Sequence, residues 1–192
     1  NNNCKKYYLQ NNGFLEAHNT SPFQTVCQTT KAIYSGCYSG DVAVYGLASR
    51  AWSKCLAHSK PITCMSPPLN NDATPLLTGT SHGSCAAHDS HTMLEVGRSS
   101  VHPEKVTWIH AWERSSFLSA SKDGTAALWD VRAPPKKRII KRFTHGTDII
   151  TGNLLSDQIL CTVSLPLEKV QCMRSRKGYV RRRSVFLNFW DI

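Results

Sequence analysis

One ten-residue stretch holds the densest set of chemically versatile side chains in this 192-residue sequence: His82-Gly83-Ser84-Cys85-Ala86-Ala87-His88-Asp89-Ser90-His91. Three histidines and a cysteine stand three residues apart, and imidazole nitrogen with thiolate sulfur is a donor set that zinc prefers. A strand would divide them, because alternate residues face opposite sides. His82 and His88 then share one face, Cys85 and His91 the other, and no four-ligand tetrahedron forms. Nucleophilic chemistry fares no better. Serine, histidine and aspartate are plentiful, yet no GxSxG elbow, HExxH helix or glycine-rich phosphate loop occurs. Gly79-Thr80-Ser81-His82-Gly83 is too short for a phosphate loop and has no lysine. Asp123 has the chemistry of a general base, but its place before Gly124 assigns it to a turn. These residues predict neither catalysis nor a metal or cofactor, so the elements that space them matter more.

Those elements repeat. Phe117 to Arg132 read FLSASKDGTAALWDVR, and a degraded form returns at intervals of about forty residues, the mark of stacked supersecondary units. With Gly124, Gly83 and Gly40 in register, Leu118-Ser119-Ala120-Ser121 aligns with Leu77-Thr78-Gly79-Thr80 and Tyr34-Ser35-Gly36-Cys37. Each segment mixes one large apolar residue with small ones, as a strand squeezed between neighbouring sheets requires. The glycine supplies the positive φ of a tight hairpin turn. His18, His58, His102 and His145 recur in phase, at separations of 40, 44 and 43. Tyr45, Trp129 and Cys172 each lie 27 residues beyond such a histidine. His88 takes that place in the second repeat at a gap of 30, with Pro67-Pro68-Leu69-Asn70-Asn71 holding the extra loop.

A strand, an Asp-Gly turn and a strand closing on Trp129-Asp130 resemble the WD-repeat family, whose units are four-stranded blades of a β-propeller. The resemblance implies an all-β fold and a partial propeller of about four blades of a seven-bladed ring. Its blades would be 19–58, 59–102, 103–145 (the closest match) and 146–192, a degenerate blade with a basic insertion. Residues 1–18 would end a truncated blade, since the sequence begins in mid-unit. The family also implies a buried network of histidine, strand hydroxyl, turn aspartate and tryptophan. The third repeat matches the full set as His102, Ser119 or Ser121, Asp123 and Trp129. The first has Ser39 and Tyr45 at the last two places, and the second has His82 and His88. Trp108 and Trp112 read as packing between blades. Trp190-Asp191 reads as a second WD ending, displaced by an insertion that contains the Arg-rich segment or by a misjoined exon.

Eight cysteines raise the question of a disulfide scaffold, but no CxxC and no signal peptide accompany them. Cys27, Cys37, Cys64, Cys85, Cys161 and Cys172 fall in or beside predicted strands, where a free thiol acts as a small hydrophobe. A reducing cytoplasmic or nuclear setting is the expectation. No apolar run approaches the roughly 20 residues of a membrane span. The net charge of +10 is uneven: residues 133–192 carry twelve Lys/Arg against four Asp/Glu. The clusters are Lys136-Lys137-Arg138, Lys141-Arg142, Arg174-Ser175-Arg176-Lys177 and Arg181-Arg182-Arg183. Each is either a solvated loop, a nuclear-import signal or a patch for an acidic partner, phosphate or nucleic acid.

Trp129-Asp130-Val131-Arg132 is similar to the docking signature of propellers that act as substrate receptors of cullin-RING ubiquitin ligases. There the arginine at the Arg132 position, beside Asp130, contacts the ligase adaptor. The stretch from Asp41 to Pro135 looks like the middle blades of the methylosome's WD-repeat subunit, which partners an arginine methyltransferase. FLSASKDG and LWDVRAPPK carry that likeness, and histone-binding propellers share much of it. The expected role is a non-catalytic scaffold of an intracellular multiprotein complex. The methyltransferase adaptor, the ligase receptor and an RNA- or chromatin-associated propeller are its finer alternatives.

Overall fold

The computed structural model describes residues 21–69, 74–113, 115–156, 159–164, 173–175, 178–180 and 186–191. The first eighteen residues, His18 among them, lie outside that set, as do Cys172 and Arg181 to Arg183. Strands β1 (Phe23–Gln28), β2 (Ala32–Cys37), β3 (Asp41–Gly46) and β4 (Ala51–Leu56) form an antiparallel meander. A second follows in β5 (Ile62–Ser66), β6 (Leu76–Thr80), β7 (Ser84–His88) and β8 (Glu95–Ser100). A third comprises β9 (Val106–Ala111), β10 (Ser116–Ser121), β11 (Thr125–Asp130) and β12 (Ile139–Thr144). The last sheet joins β13 (Ile149–Ser156) and β14 (Ile159–Ser164) to β17 (Phe186–Asp191). A hairpin of β15 (Met173–Ser175) and β16 (Gly178–Val180) lies between β14 and β17 in the chain. The one helical element among the described residues is a 3-10 turn at Pro135–Lys137.

The sheets stack face to face in chain order, β1, β5, β9 and β13 running side by side along the inner edge. Second strands are therefore buried on both faces. Leu76–Thr80 and Ser116–Ser121 are buried at every position, which is why they alternate bulk with serine, threonine, alanine and glycine. Between the second and third sheets Leu77, Cys85 and Ala87 meet Val106, Ile109, Phe117 and Trp129. Leu118, Leu128 and Phe143 meet Ile149 and Leu160 in the next layer, with Trp108 and Trp112 packed against them. Each fully buried Leu, Ile or Phe stabilises the stack by roughly 1.5–3 kcal/mol.

The turns obey the repeat. Gly40, Gly83 and Gly124 have φ of 92°, 78° and 78°. Their N–H groups donate to Cys37, Thr80 and Ser121 carbonyls at 3.1, 3.4 and 3.3 Å. The architecture is all-β and propeller-like, with several four-stranded antiparallel sheets.

Candidate functional site

The histidines that mark the repeat are its joints. His58 donates its backbone N–H to Gly40 O at 2.9 Å, while its ring Nε2 meets Thr78 Oγ1 of the next sheet at 2.7 Å. His102 does the same to Gly83 O at 3.2 Å and Ser119 Oγ at 2.8 Å. His145 bonds Gly124 O at 2.8 Å and Thr162 Oγ1 at 2.6 Å. Each residue thus staples the turn of one sheet to the second strand of the following one.

In the third sheet the staple brings together most of the residues that the sequence singles out. His102 Nδ1 faces Asp123 Oδ2 at 3.2 Å and Thr125 Oγ1 at 2.9 Å, and Thr125 donates its hydroxyl to Asp123 Oδ1 at 2.6 Å. Burial pushes the Asp123 carboxyl up, but the hydrogen bonds from His102 and Thr125 outweigh it and hold the group below the usual carboxylate range. Of the two candidate serines, Ser119 meets the histidine. Ser121 instead accepts the Asp123 N–H at 3.1 Å and shapes the turn. Trp129 does not join. Its ring packs edge-on against Phe117 with centroids 5.1 Å apart, and its buried indole N–H has no hydrogen-bond partner.

The tryptophan closes the network in the fourth sheet. Leu160 pairs with Trp190 there as Phe117 pairs with Trp129, so Trp190 holds the place that spacing assigns to Cys172. The β15–β16 hairpin falls in the intervening chain. Trp190 Nε1–H donates to His145 Nε2 at 3.0 Å and Thr162 Oγ1 at 3.1 Å.

The second sheet solves the same problem with other chemistry. His88, at the tryptophan place, shares Thr78 with His58: its Nε2 lies 3.1 Å from Thr78 Oγ1. Arg98 donates to His58 Nδ1 at 2.6 Å and to Ala57 O, and pairs with Glu95 at 2.5 Å. Burial first, then the Arg98 charge and His88, push the His58 imidazole down to about 3. Burial, against a counter-pull from Glu95, takes His88 to about 4.

Arg98 belongs to a repeat that the sequence reading misses. Lys54, Arg98 and Arg142 sit opposite Ala43, Ala86 and Ala127 on successive outer strands. Arg98 grips Ala57 O, and Arg142 reaches Val101 O at 2.9 Å. Lys54 pairs with Asp41 at 2.7 Å. The signal was available as a cation three or four residues before each of His58, His102 and His145. The basic surplus of the C-terminal third is thus partly structural. Arg142 is a clamp, and Arg138 turns inward to Ala133 O at 3.0 Å and to Arg98 O. Arg132, Lys136 and Lys137 remain exposed on the loop between β11 and β12. Asp130 Oδ1 accepts the Arg132 N–H at 2.8 Å and fixes the start of that loop.

The would-be zinc ligands go separate ways. His82 lies in a turn against Ser81, His88 is buried in the staple, Cys85 is buried in the core, and His91 is exposed. Burial holds the Cys27 and Cys64 thiols at about 12 and raises Cys85 well above the usual thiol range. Among the described residues no helix is long and apolar enough to cross a membrane.

Neither a family model nor a curated protein matches the sequence. Solved structures do match the fold. The computationally designed Ika4 protein superimposes with a TM-score of 0.69 at 14% identity, over 91% of this chain and 93% of that one. The designed Ika8 protein gives 0.70 at 15% identity, over 93% of this chain and 48% of its own. A chain of the Mitotic Checkpoint Complex gives 0.65 at 19% identity, over 77% and 45%. U3-55K gives 0.67 at 14% identity, over 78% and 47%. This chain therefore spans about half the length of three of these relatives, and the likeness is one of fold.

Proposed function

We propose that this chain is a non-catalytic protein-interaction scaffold, a WD-repeat propeller arc with one blade per sheet. One observation carries the reading: the buried polar groups join sheets, while the anchored β11–β12 loop exposes cations with no acidic residue among them. His58, His88, His102, His145 and Asp123 are each engaged within or between sheets. The β11–β12 loop meanwhile exposes Arg132, Lys136 and Lys137, has no acidic residue from 131 to 138, and is held by Arg138. A pre-ordered cationic loop loses little entropy on binding an acidic protein surface. The test is co-purification from cells with the triple variant Arg132→Glu, Lys136→Glu, Lys137→Glu. Loss of wild-type partners with unchanged thermal stability supports the reading, and an unchanged partner set removes it.

A second reading rests on the exposed Arg132 with its N–H set by Asp130. In that reading the chain is a substrate receptor docking on a ubiquitin-ligase adaptor. Arg132→Ala alone then abolishes adaptor binding, whereas the Lys136 and Lys137 variants leave it intact. The methyltransferase adaptor rests on the text of residues 41–135, and co-purification with a methyltransferase tests it. An RNA or chromatin role requires affinity that falls steeply with salt.

A further inference from the structure

The second and third sheets break their outer strands at the same place. The ladder from β7 to β8 steps between Ala87 and His88, and that from β11 to β12 steps between Leu128 and Trp129. These positions are equivalent, since Leu77 pairs with Ala87 as Leu118 pairs with Leu128. Each step leaves one outer-strand residue without a cross-strand partner, Val96 in β8 and Ile140 in β12. Both are apolar, β-branched and turned to solvent, at 57% and 56% exposure. Leu94, just before β8, is 70% exposed, and Ile139 beside Ile140 is 38% exposed. The outer strand of the first sheet pairs with β3 without such a step.

A bulge that only keeps an outer edge from pairing with other chains is served equally well by lysine or serine. Here both unpaired places hold apolar side chains, and bulges are a common means of re-aiming a side chain. The β11–β12 loop joins the two places. Arg138 donates to Arg98 O, and Gly97, next to Val96, leaves the space that Val131 fills. A Cβ on Gly97 would stand 2.1 Å from Val131 Cγ2. The exposed Arg132, Lys136 and Lys137 therefore lie on the stretch that leads from Val131 against β8 to Ile139 at the start of β12. Glu95, the acidic residue of β8, is already paired with Arg98 at 2.5 Å. Exposed apolar side chains on two neighbouring outer strands are thus flanked by cations with no acidic residue from 131 to 138.

We propose that this outer edge of the second and third sheets binds an acidic segment of a partner protein. The segment's apolar side chains cover Val96 and Ile140, with Leu94 and Ile139 at the margin, while its carboxylates meet Arg132, Lys136 and Lys137. Charge complementarity selects the occupant, because unopposed cations beside the apolar pair reject a basic segment and favour an acidic one. Recognition runs through side chains and not through strand addition. The bulges interrupt both edges, and Arg138 already holds Arg98 O. Cations alone attract any acidic surface, and the apolar pair chooses among them. The site takes its cationic half from the scaffold reading, on which it rests, and adds the apolar half.

The probe is a random peptide library displayed on phage and selected against the full chain. Enriched peptides should combine aspartate or glutamate with leucine, isoleucine, valine or phenylalanine. The double variant Val96→Thr, Ile140→Thr keeps the β-branched shape and every charge. It should weaken those peptides at least about tenfold with unchanged circular dichroism. Should the pair lose its fold, Leu94→Ser in the preceding turn replaces it, with a loss of about threefold or more. Peptides lost on charge reversal of Arg132, Lys136 and Lys137 but kept by the threonine pair overturn the apolar site and leave the scaffold reading standing. Peptides kept by both variants remove both. No enrichment, or enrichment of basic or uncharged peptides, also overturns the proposal. So does retention of the chain on phosphatidylserine vesicles that the threonine pair abolishes, which marks a membrane surface instead.

Discussion

His58 and His102 stand at the same place in consecutive sheets, yet Nδ1 meets a guanidinium donor in the first and a carboxylate acceptor in the second. At His58 the Arg98 guanidinium can only donate, so Nδ1 accepts at 2.6 Å and Nε2 holds the proton, which goes to Thr78. The Thr78 hydroxyl then has two places for its proton, His88 Nε2 at 3.1 Å and the Ala86 carbonyl at 3.4 Å. At His102 the Asp123 carboxylate can only accept, so Nδ1 donates to it while Nε2 faces Ser119 Oγ. The reversal follows from the turn: the second repeat has His82 where the third has Asp123, and a cation from the outer strand fills the gap.

Long-range nitrogen–proton NMR correlations should therefore report Nε2–H for His58 and Nδ1–H for His102. Arg98→Ala should release the first assignment and leave the second unchanged. Thr78 is the hinge of the reversed network, because two imidazoles share its one hydroxyl. Thr78→Val should cost about 3 kcal/mol by leaving buried nitrogens unsatisfied, and Thr78→Ser under about 1 kcal/mol. Equal losses in denaturant titrations would refute this assignment.

The same pair sets an acid sensitivity. His58 and His88 titrate at about 3 and about 4 in the folded chain, against an ordinary 6.5. The unfolded chain takes up protons first as pH falls, so the stability they confer is complete above 6.5 and declines through the window down to the folded values. Carboxylates held low, such as Asp123, lose their contribution only at lower pH, below the ordinary carboxylate range. Unfolding free energy should thus begin to fall near pH 6. His88→Gln should flatten that limb, since glutamine does not titrate. A limb that starts only near pH 4 in the wild type would contradict the arrangement.

Two glycines separate backbone strain from crowding. Gly83 and Gly146 have φ of 78° and 73°. A Cβ on Gly83 would stand 1.8 Å from the His102 carbonyl oxygen, whereas one on Gly146 meets nothing within 4 Å. Gly146→Ala should cost about 1–2 kcal/mol, the left-handed penalty alone. Gly83→Ala must also displace the His102 backbone and break its staple, so at least about 3 kcal/mol is expected. Thermal unfolding of the two variants decides it.

The repeat was legible because its markers are local: the turn glycines, the histidines and the small-residue strands each follow from backbone geometry at one site. Partners across sheets were less so. Thr125 and Arg98 join histidines 23 and 40 residues away, and either contact appears only once two sheets are superimposed. Arg138 and Arg142 read as a surface patch because composition cannot say which way a guanidinium points. Trp190 reads as a WD ending, but a spacing of 27 residues from His145 falls on Cys172, since the hairpin between β14 and β17 breaks the period.

Trp129 and Trp190 provide the sharpest contrast between sequence match and formed interaction. The first stands in the closest copy of the repeat, yet its indole N–H is orphaned, while the second follows an insertion and makes two bonds. The neighbours differ: Phe117 lies edge-on to Trp129, whereas Leu160 stands opposite Trp190, whose ring lies beside His145 at 4.6 Å between centroids. The Trp190 indole proton should resonate downfield of that of Trp129, as hydrogen bonding deshields it. Phe117→Leu recreates the fourth sheet's pairing in the third and should move the Trp129 signal toward the Trp190 position as the ring turns to Ser119. If Trp129 already resonates downfield in the wild type, its N–H has a partner and the two sheets are equivalent after all.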